Sequence, residues 1–399
     1  MAAEKNNKTL NVPILRFPEF SGEWEKSELH KVASLSKGTG ISKEQLSEEG
    51  LPCILYGELY TKYRSEVINE IISKTNLEPK KLVKSQINDV IIPCSGETSI
   101  DIATARCVKQ SDVLLGGDLN IIRLKGEHDG AFFAFQLNGK RKYDIARVAQ
   151  GVSVVHLYGE HLKRVKVNYP SITEQKKISS LLTLVDQRIE TQRKIIEKYE
   201  SLIRGISNKL LYADKGIPVR LGDILLERSE RTKVNNQHEV LSSTVKGIFS
   251  QREYFSKEIA SENNVGYKFI HLYDVVLSPQ NLWMGNINYN DKYDIGIVSP
   301  SYKIFSIAKG YDKRFVSALL KTHRALYNYM LVSEQGASVV RRNLNMEAFE
   351  QLVFKIPSID KQREVGNAIS ALQSRLELAI KVKTAYEKQK QWLLMGMFI

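Results

Sequence analysis

Pro170 to Ile178 reads PSITEQKKI, and nearly the same stretch returns at Pro357 to Val365 as PSIDKQREV. At that offset of 187 the register runs on without a gap for 43 residues, placing Arg188 on Arg375, Tyr199-Glu200 on Tyr386-Glu387 and Leu210-Leu211 on Met397-Phe398. Upstream, QGVSVV at Gln150 to Val155 recurs as QGASVV at Gln335 to Val340. Asn88 to Ile91 sits against Tyr273 to Val276, and Asp129 to Leu137 against Asp312 to Leu320, with an offset that drifts as loops of unequal length require. A period this long exceeds any solenoid repeat and is the size of a domain. The chain therefore reads as two tandem units, each a variable region followed by a shared segment.

The shared segment has one periodicity. Ile178, Leu182, Val185, Ile189, Gln192, Ile196, Tyr199, Ile203, Ile206 and Leu210 are spaced alternately by four and three, which is a heptad stripe. Pro170 and Thr173 mark a helix entry and Gly216-Ile217-Pro218 an exit. Roughly 40 residues at about 1.5 Å each predict a rod of about 60 Å. In the second copy the stripe runs Val365, Ile369, Leu372, Leu376, Ala379, Lys383, Tyr386, Lys390, Leu393 and Met397, interrupted by two lysines. So narrow a seam suits helix on helix better than helix on domain core. The expectation is an antiparallel coiled coil, paired through Ile178, Leu182, Val185, Ile189, Ile196, Tyr199 and Ile203 on one side and Val365, Ile369, Leu372, Leu376, Tyr386 and Leu393 on the other.

The variable regions hold strand-like runs at Asp89 to Ile92, Asn120 to Leu124, Asp274 to Leu277 and Tyr302 to Ile307, with a helical stretch at Asp312 to Tyr329. The predicted fold class is α+β: two globular domains alternating with two long helices in a pseudo-two-fold repeat. The boundaries fall at 1–20 for an N-terminal arm, 21–169 and 216–356 for the globular domains, and 170–215 and 357–399 for the helices.

A net charge of +13 suggests an anionic partner, and 42% hydrophobic residues suffice for two cores. No apolar run of about 18 residues occurs, and the opening MAAEKNNKTL lacks a signal-peptide core, so a cytoplasmic protein with no membrane association is expected. Cys53, Cys94 and Cys107 have no CxxC spacing and suit a reducing compartment. Catalytic patterns are lacking. Gly139-Lys140 has Ala134 where a phosphate loop needs its first glycine, and neither H-E-x-x-H nor an N-P-P-Y or D-P-P-Y tetrapeptide occurs. His156 and His161 lack a third ligand nearby, and neither Ser99 with Asp101 nor Ser153 with His156 makes a hydrolase site. No catalytic residue, metal site or cofactor is expected in this chain.

Reading DNA takes Arg or Lys for guanine edges, Asn or Gln for adenine edges, and donors to phosphate. In the first variable region the candidates are Lys37, Thr39, Ser42 and Lys43 around a Gly-rich loop, then Tyr56, Glu58, Tyr60, Lys62, Tyr63 and Arg64, whose alternation equally fits a half-buried strand. In the second they are Gln280, Asn281 and Trp283 on a predicted loop. The repeated hexapeptide reads as a turn into a strand shared by both units, so the residues that read should be those that differ. After it, His156-Leu157 becomes Arg341-Arg342, which adds Arg341 and Arg342.

The two P-x-x-x-x-Q signatures (Pro170 with Gln175, Pro357 with Gln362), VPILRFPEFSGEW at Val12 to Trp24, GISKEQL at Gly40 to Leu46 and LPCILYGELYTKY at Leu51 to Tyr63 together resemble the specificity subunit of type I restriction-modification enzymes. The resemblance covers nearly the whole chain, although the second unit lacks an RFPEF-type lead-in. It implies a non-catalytic reader of double-stranded DNA. Each target-recognition domain would read half of a bipartite asymmetric site, and the helices would set the spacer and dock two methyltransferase subunits. S-adenosylmethionine, ATP and Mg2+ would belong to those partners and to the restriction/translocase subunits. The competing readings are a coiled-coil adaptor that binds no DNA and a free-standing enzyme.

Overall fold

The computed structural model describes residues 10–151, 153–210, 216–254, 263–335 and 342–399. Two compact units emerge, Met1–Arg193 with Lys381–Ile399, and Lys194–Ile380. Both long helices form, Ile172–Leu210 and Ile359–Gly396, and each contributes one part to each unit. The helices are therefore shared between the units rather than standing apart as separate segments.

In the first unit Glu25–Glu28 pairs antiparallel with Lys166–Tyr169, bringing the entry and exit of the domain together. Inside lies a five-stranded sheet in the order Ala33–Lys37, Leu119–Leu124, Asp89–Pro93, Arg106–Val108, Val67–Ile68. A second sheet of five short strands flanks it. The helix Gly130–Asn138 is buried along its first eight residues, since GAFFAFQL presents apolar groups on every side, and Phe132, Phe133 and Phe135 fill the core. The second unit repeats this frame: Ile217–Arg220 pairs with Val353–Ile356, and the sheet order is Leu225–Arg228, Lys303–Ile307, Val275–Leu277, Ile287–Tyr289. Position by position, the first four strands of the two sheets correspond. The helical stretch predicted at Asp312 to Tyr329 is two helices, Lys313–Leu320 and His323–Leu331, because the Thr322 hydroxyl accepts from the Ala325 N–H and starts a new one.

The P-x-x-x-x-Q signature has a mechanical meaning. Gln175 is buried; its amide nitrogen donates to the Pro170 carbonyl at 2.9 Å, and its amide oxygen accepts from the Asp129 N–H at 3.0 Å. Gln362 does the same with Pro357 at 2.8 Å and Asp312 at 3.0 Å. Asp129 and Asp312 are in turn the N-caps of the two buried helices. One side chain thus locks the first turn of each long helix to the start of its domain's central helix. Ser179 donates to Asp129 in the first unit; its counterpart Gly366 leaves no room for a side chain, since a Cβ there would lie 2.5 Å from Asp312 Oδ1. The lead-in differs as well. Arg16 forms a fork to buried Glu174 at 2.8 Å for both bonds, and Trp24 Nε1 donates to the same carboxylate at 3.3 Å. Where the second unit has no such arginine, the matching residue is Lys361, so no buried carboxylate is left unpaired.

The seam departs from expectation. Ile178, Leu182 and Val185 lie in the first domain's core together with Leu393, Met397 and Phe398, so this end of the stripe seals a globular domain as well as meeting the other helix. Direct helix pairing follows immediately: Arg188 donates to the Tyr386 hydroxyl at 3.1 Å and Asp186 pairs with Lys390 at 2.6 Å, an antiparallel progression. Ile189, Ile196, Tyr199 and Ile203 are half-buried, as are Leu372, Leu376 and Tyr386. In the second unit Val365 and Ile369 are buried in its core, with Ile206 packed against it. The Leu210 side chain and Leu211 lie outside the described residues.

Lys390 does not interrupt the seam. Its ammonium is held by Glu66 from the domain and Asp186 from the first helix, with Arg106 completing a buried group of two acids and two bases. Ser65 donates to Asp186 at 3.0 Å and Asn138 to Glu66 at 3.2 Å. Burial would push the Glu66 carboxyl up, but the charges of Lys390 and Arg106 outweigh it and hold Glu66 below its ordinary range. Asp186 goes the other way, to about 7, through burial and then the neighbouring Glu66 charge.

Two tests follow from these contacts. Gln175→Ala and Gln362→Ala should each destabilise by roughly 1–3 kcal/mol per buried partner left unpaired, read by denaturant unfolding. Because the folded pKa of Asp186 lies above its unfolded value, keeping it ionised opposes folding increasingly as pH rises from about 4 through about 7. Asp186→Asn should therefore gain stability over the wild type across that window, whereas Lys390→Met should lose about 3–5 kcal/mol near neutral pH. A flat difference between Asn and Asp across the window would refute the assignment.

Candidate nucleic-acid interface

The first copy of the repeated hexapeptide closes a turn, and the second is described only at Gln335. In the first unit Gln150 and His156 exchange backbone hydrogen bonds of 2.9 and 2.7 Å around Gly151, whose φ of 125° demands glycine. Val155–His156 then pairs with Ser95–Gly96. Of the first copy only Val155 is shown buried, Val154 being exposed and Val152 outside the described residues. In the second unit Gln335 pairs with Arg342 across residues 336–341, which are not described, and Arg341 falls among them. The Arg342 N–H donates to the Gln280 carbonyl at 3.2 Å. Ser95–Gly96 and Pro279-Gln280 follow equivalent strands, so in both units the chain after the hexapeptide meets the segment after the strand, His156 against Ser95 in the first and Arg342, which aligns with Leu157, against Gln280 in the second.

Around these points the surfaces differ. The first unit gathers Lys37, whose ammonium lies 5.9 Å from the Tyr158 ring centroid, with His156 beside Tyr158 and Ser95 3.2 Å from His156 Nδ1. Tyr60, about a third exposed, donates its hydroxyl to the Ser95 carbonyl at 3.1 Å. Burial, with Asp101 nearby, pushes that hydroxyl's pKa up, so it stays a donor. Ser95, His156 and Tyr158 are not among the reading residues expected from the sequence, although the divergence after the hexapeptide starts at His156. The second unit gathers Gln280, Asn281, Trp283 and Arg342, all predicted from sequence. The Arg342 guanidinium stacks 4.6 Å over the Trp283 ring, and its buried Nε makes no hydrogen bond among the described residues. Their loop is closed by Gly285, which takes φ 92° after the turn Leu282–Met284 and whose carbonyl accepts from Lys321 at 2.8 Å. Burial lowers the Lys321 pKa to about 8.

Other candidates prove structural. Residues Glu58–Thr61 form a helical turn rather than a strand. Glu58 is buried, accepting from Leu55 N and Ser73 and paired with Lys62 at 2.7 Å, while buried Tyr63 accepts from Ile72 N at 3.1 Å; neither reaches a duplex. Lys62 is committed to Glu58 and Ser73. Thr39 accepts from Val83 N, and Ser42 caps the turn Lys43–Gln45. Lys43, Tyr56 and Arg64 remain exposed. The three cysteines are buried, and burial raises their thiols to about 11, 11 and 12, which removes them from reactive chemistry. Among the described residues no acidic, His or Cys cluster could hold a metal, and no helix is long and apolar enough to cross a membrane.

The two units carry unlike surface patches on one frame, and the fold has known counterparts. The type I restriction modification DNA specificity domain matches residues 21–200. The S subunit of a type I restriction-modification system from M. genitalium is 16% identical over 97% of this chain and 99% of that one, with a TM-score of 0.65. A chain from a study of type I R-M complex assembly and conformational transition is 11% identical over 93% and 96%, at 0.49. The HsdS subunit of Thermoanaerobacter tengcongensis is 11% identical over 94% and 96%, at 0.39. Residues 21–200 thus match the type I restriction modification DNA specificity domain, and the chain shares the fold of the M. genitalium S subunit over 97% of its length.

Replacing Arg342 or His156 by Ala should weaken duplex binding by about 1–3 kcal/mol, while Tyr63→Phe should lower thermal stability and leave binding unchanged. Gel-shift titrations alongside melting curves separate the two classes, and loss of binding in Tyr63→Phe without loss of stability would contradict the assignment.

Proposed function

We propose that this chain is the non-catalytic DNA reader of a type I restriction-modification complex. Each unit reads one half of a bipartite, asymmetric duplex site, and the paired helices set the interval between halves. The observation that carries this is the shared frame on which the chain after the hexapeptide meets the segment after the central strand, with His156 beside Ser95 in one unit and Arg342 beside Gln280 in the other. Equal backbones with unequal hydrogen-bonding groups give equal docking and different readout. A few base pairs per half give limited discrimination at about 1–3 kcal/mol each, so joining two readers multiplies selectivity. Two methyltransferase subunits and restriction/translocase subunits are the partners in this reading. S-adenosylmethionine, ATP and Mg2+ act in those subunits and not in this chain, and the complex works in the cytoplasm. A DNA-free adaptor fits less well, because Arg342 over Trp283 and Lys37 over Tyr158 put cations and flat rings where a nucleic acid would meet them.

Mapping methylated adenines made by the reconstituted complex tests the reading. Exchanging residues 216–356 for another such domain should change one half of the methylated site and leave the other. A seven-residue insertion placed in both helices, at Arg193/Lys194 and Ile380/Lys381, keeps the heptad phase and adds about 10 Å. The spacer should grow by about three base pairs at about 3.4 Å each. Insertion after Val185 would instead break the first domain's core. Methylation at a single contiguous sequence, or a change in both halves on exchange, would refute the modular reading.

A further inference from the structure

Tyr273 stands just before the strand Val275–Leu277 at φ 74°, a left-handed conformation that bulky side chains rarely adopt. Its counterpart in the first unit is Asn88 at φ 73°, and asparagine accepts that conformation readily. The second unit thus keeps a tyrosine where its own frame favours asparagine, and backbone strain of this kind gathers at ligand sites. The ring is 44% exposed; it stacks with Tyr289 at 6.0 Å between centroids and 21° between planes, and Lys313 Nζ lies 4.3 Å from its centre. Tyr273, Tyr289, Asp312, Lys313, Arg314 and Arg363 line a cavity of about 360 Å³.

The charge in that cavity is unbalanced. The Asp312 carboxylate is engaged in capping Phe315 N at 2.9 Å. Arg314 donates to the neutral Asn367 amide at 2.6 Å, and Arg363 has a solvent-exposed contact with Asp360 at 3.4 Å. Among the described residues no carboxylate lies within ion-pair distance of Lys313 or Arg314. In the first unit the positions of Lys313 and Arg314 are Gly130 and Ala131, and His128 packs on Phe133 and Tyr169 there. The cavity belongs to the second unit's own sequence, not to the shared frame. It sits at the opposite end of the strand Val275–Leu277 from Gln280, away from the reading patch.

We propose that this cavity binds a nucleoside phosphate, with the phosphate on Lys313, Arg314 and Arg363 and the base stacked on Tyr273. Its size is at the lower end of small-molecule sites, roughly 300–1,000 Å³, and is too large for a lone phosphate or carboxylate. Aromatic platforms hold bases without regard to sequence, and clustered cations hold phosphate. The same chemistry is offered by a free nucleotide or by the 5′-phosphorylated end of a single strand.

Titration calorimetry on the full chain distinguishes these, using adenosine 5′-monophosphate, adenosine, inorganic phosphate and a 5′-phosphorylated hexanucleotide. The monophosphate or the hexanucleotide should bind at least about tenfold more tightly than adenosine or phosphate alone. Binding of the monophosphate identifies a free nucleotide, and binding of the hexanucleotide only identifies a strand end. Tyr273→Asn, which restores the residue type of the first unit and should melt no lower than the wild type, should weaken that binding about tenfold, as should Lys313→Gln. Duplex binding should be unaffected by either. Equal affinity for phosphate and nucleotide, no binding of either probe, or wild-type affinity in both variants would overturn the proposal without touching the two-domain reading of DNA.

Discussion

The buried glutamine amide at the start of each long helix is the constraint from which the rest of the structure follows. An amide has one acceptor and one donor side, and Gln175 and Gln362 spend one on the capping aspartate's N–H and the other on the proline carbonyl five residues earlier. Because both groups are buried, neither bond can be exchanged for water at low cost. The direction of each helix is thereby fixed against its domain's central helix. A rod whose first turn could swivel would carry no defined geometry, whatever its length.

The buried charges extend the same logic to the far end of the second helix. Lys390 meets carboxylates from the domain and from the first helix, so three chain segments must arrive together before its desolvation is repaid. Apolar packing of Leu393, Met397 and Phe398 supplies attraction without register, and the charge group supplies the register. This explains why a lysine persists in an otherwise apolar stripe.

In the proposed reading, function is carried by what the frame leaves free. The paired strands and the clamp are repeated, while the groups at the end of the hexapeptide loop are not: an imidazole and a hydroxyl in one unit, a guanidinium over an indole in the other. The left-handed residue before the third strand follows the same division, asparagine in one unit and a stacked tyrosine in the other. Duplication followed by surface change lets one folding solution present two chemistries.

The sequence by itself determined the duplication, both long helices and the main strands, and it singled out Arg342 for testing, because repeats and heptads are local periodicities and divergence between copies is visible in one chain. It could not show that Ile178, Leu182 and Val185 seal a domain core, that Lys390 is a buried counter-charge, or that Glu58 and Tyr63 are internal. Each of those depends on partners far away in the chain, Lys390 meeting Glu66 across more than three hundred residues. A side chain's role changes sign with what surrounds it: an exposed glutamate is a contact and a buried one a brace. Only the tertiary structure decides which, since burial and long-range pairing are properties of the folded neighbourhood and leave no periodic trace.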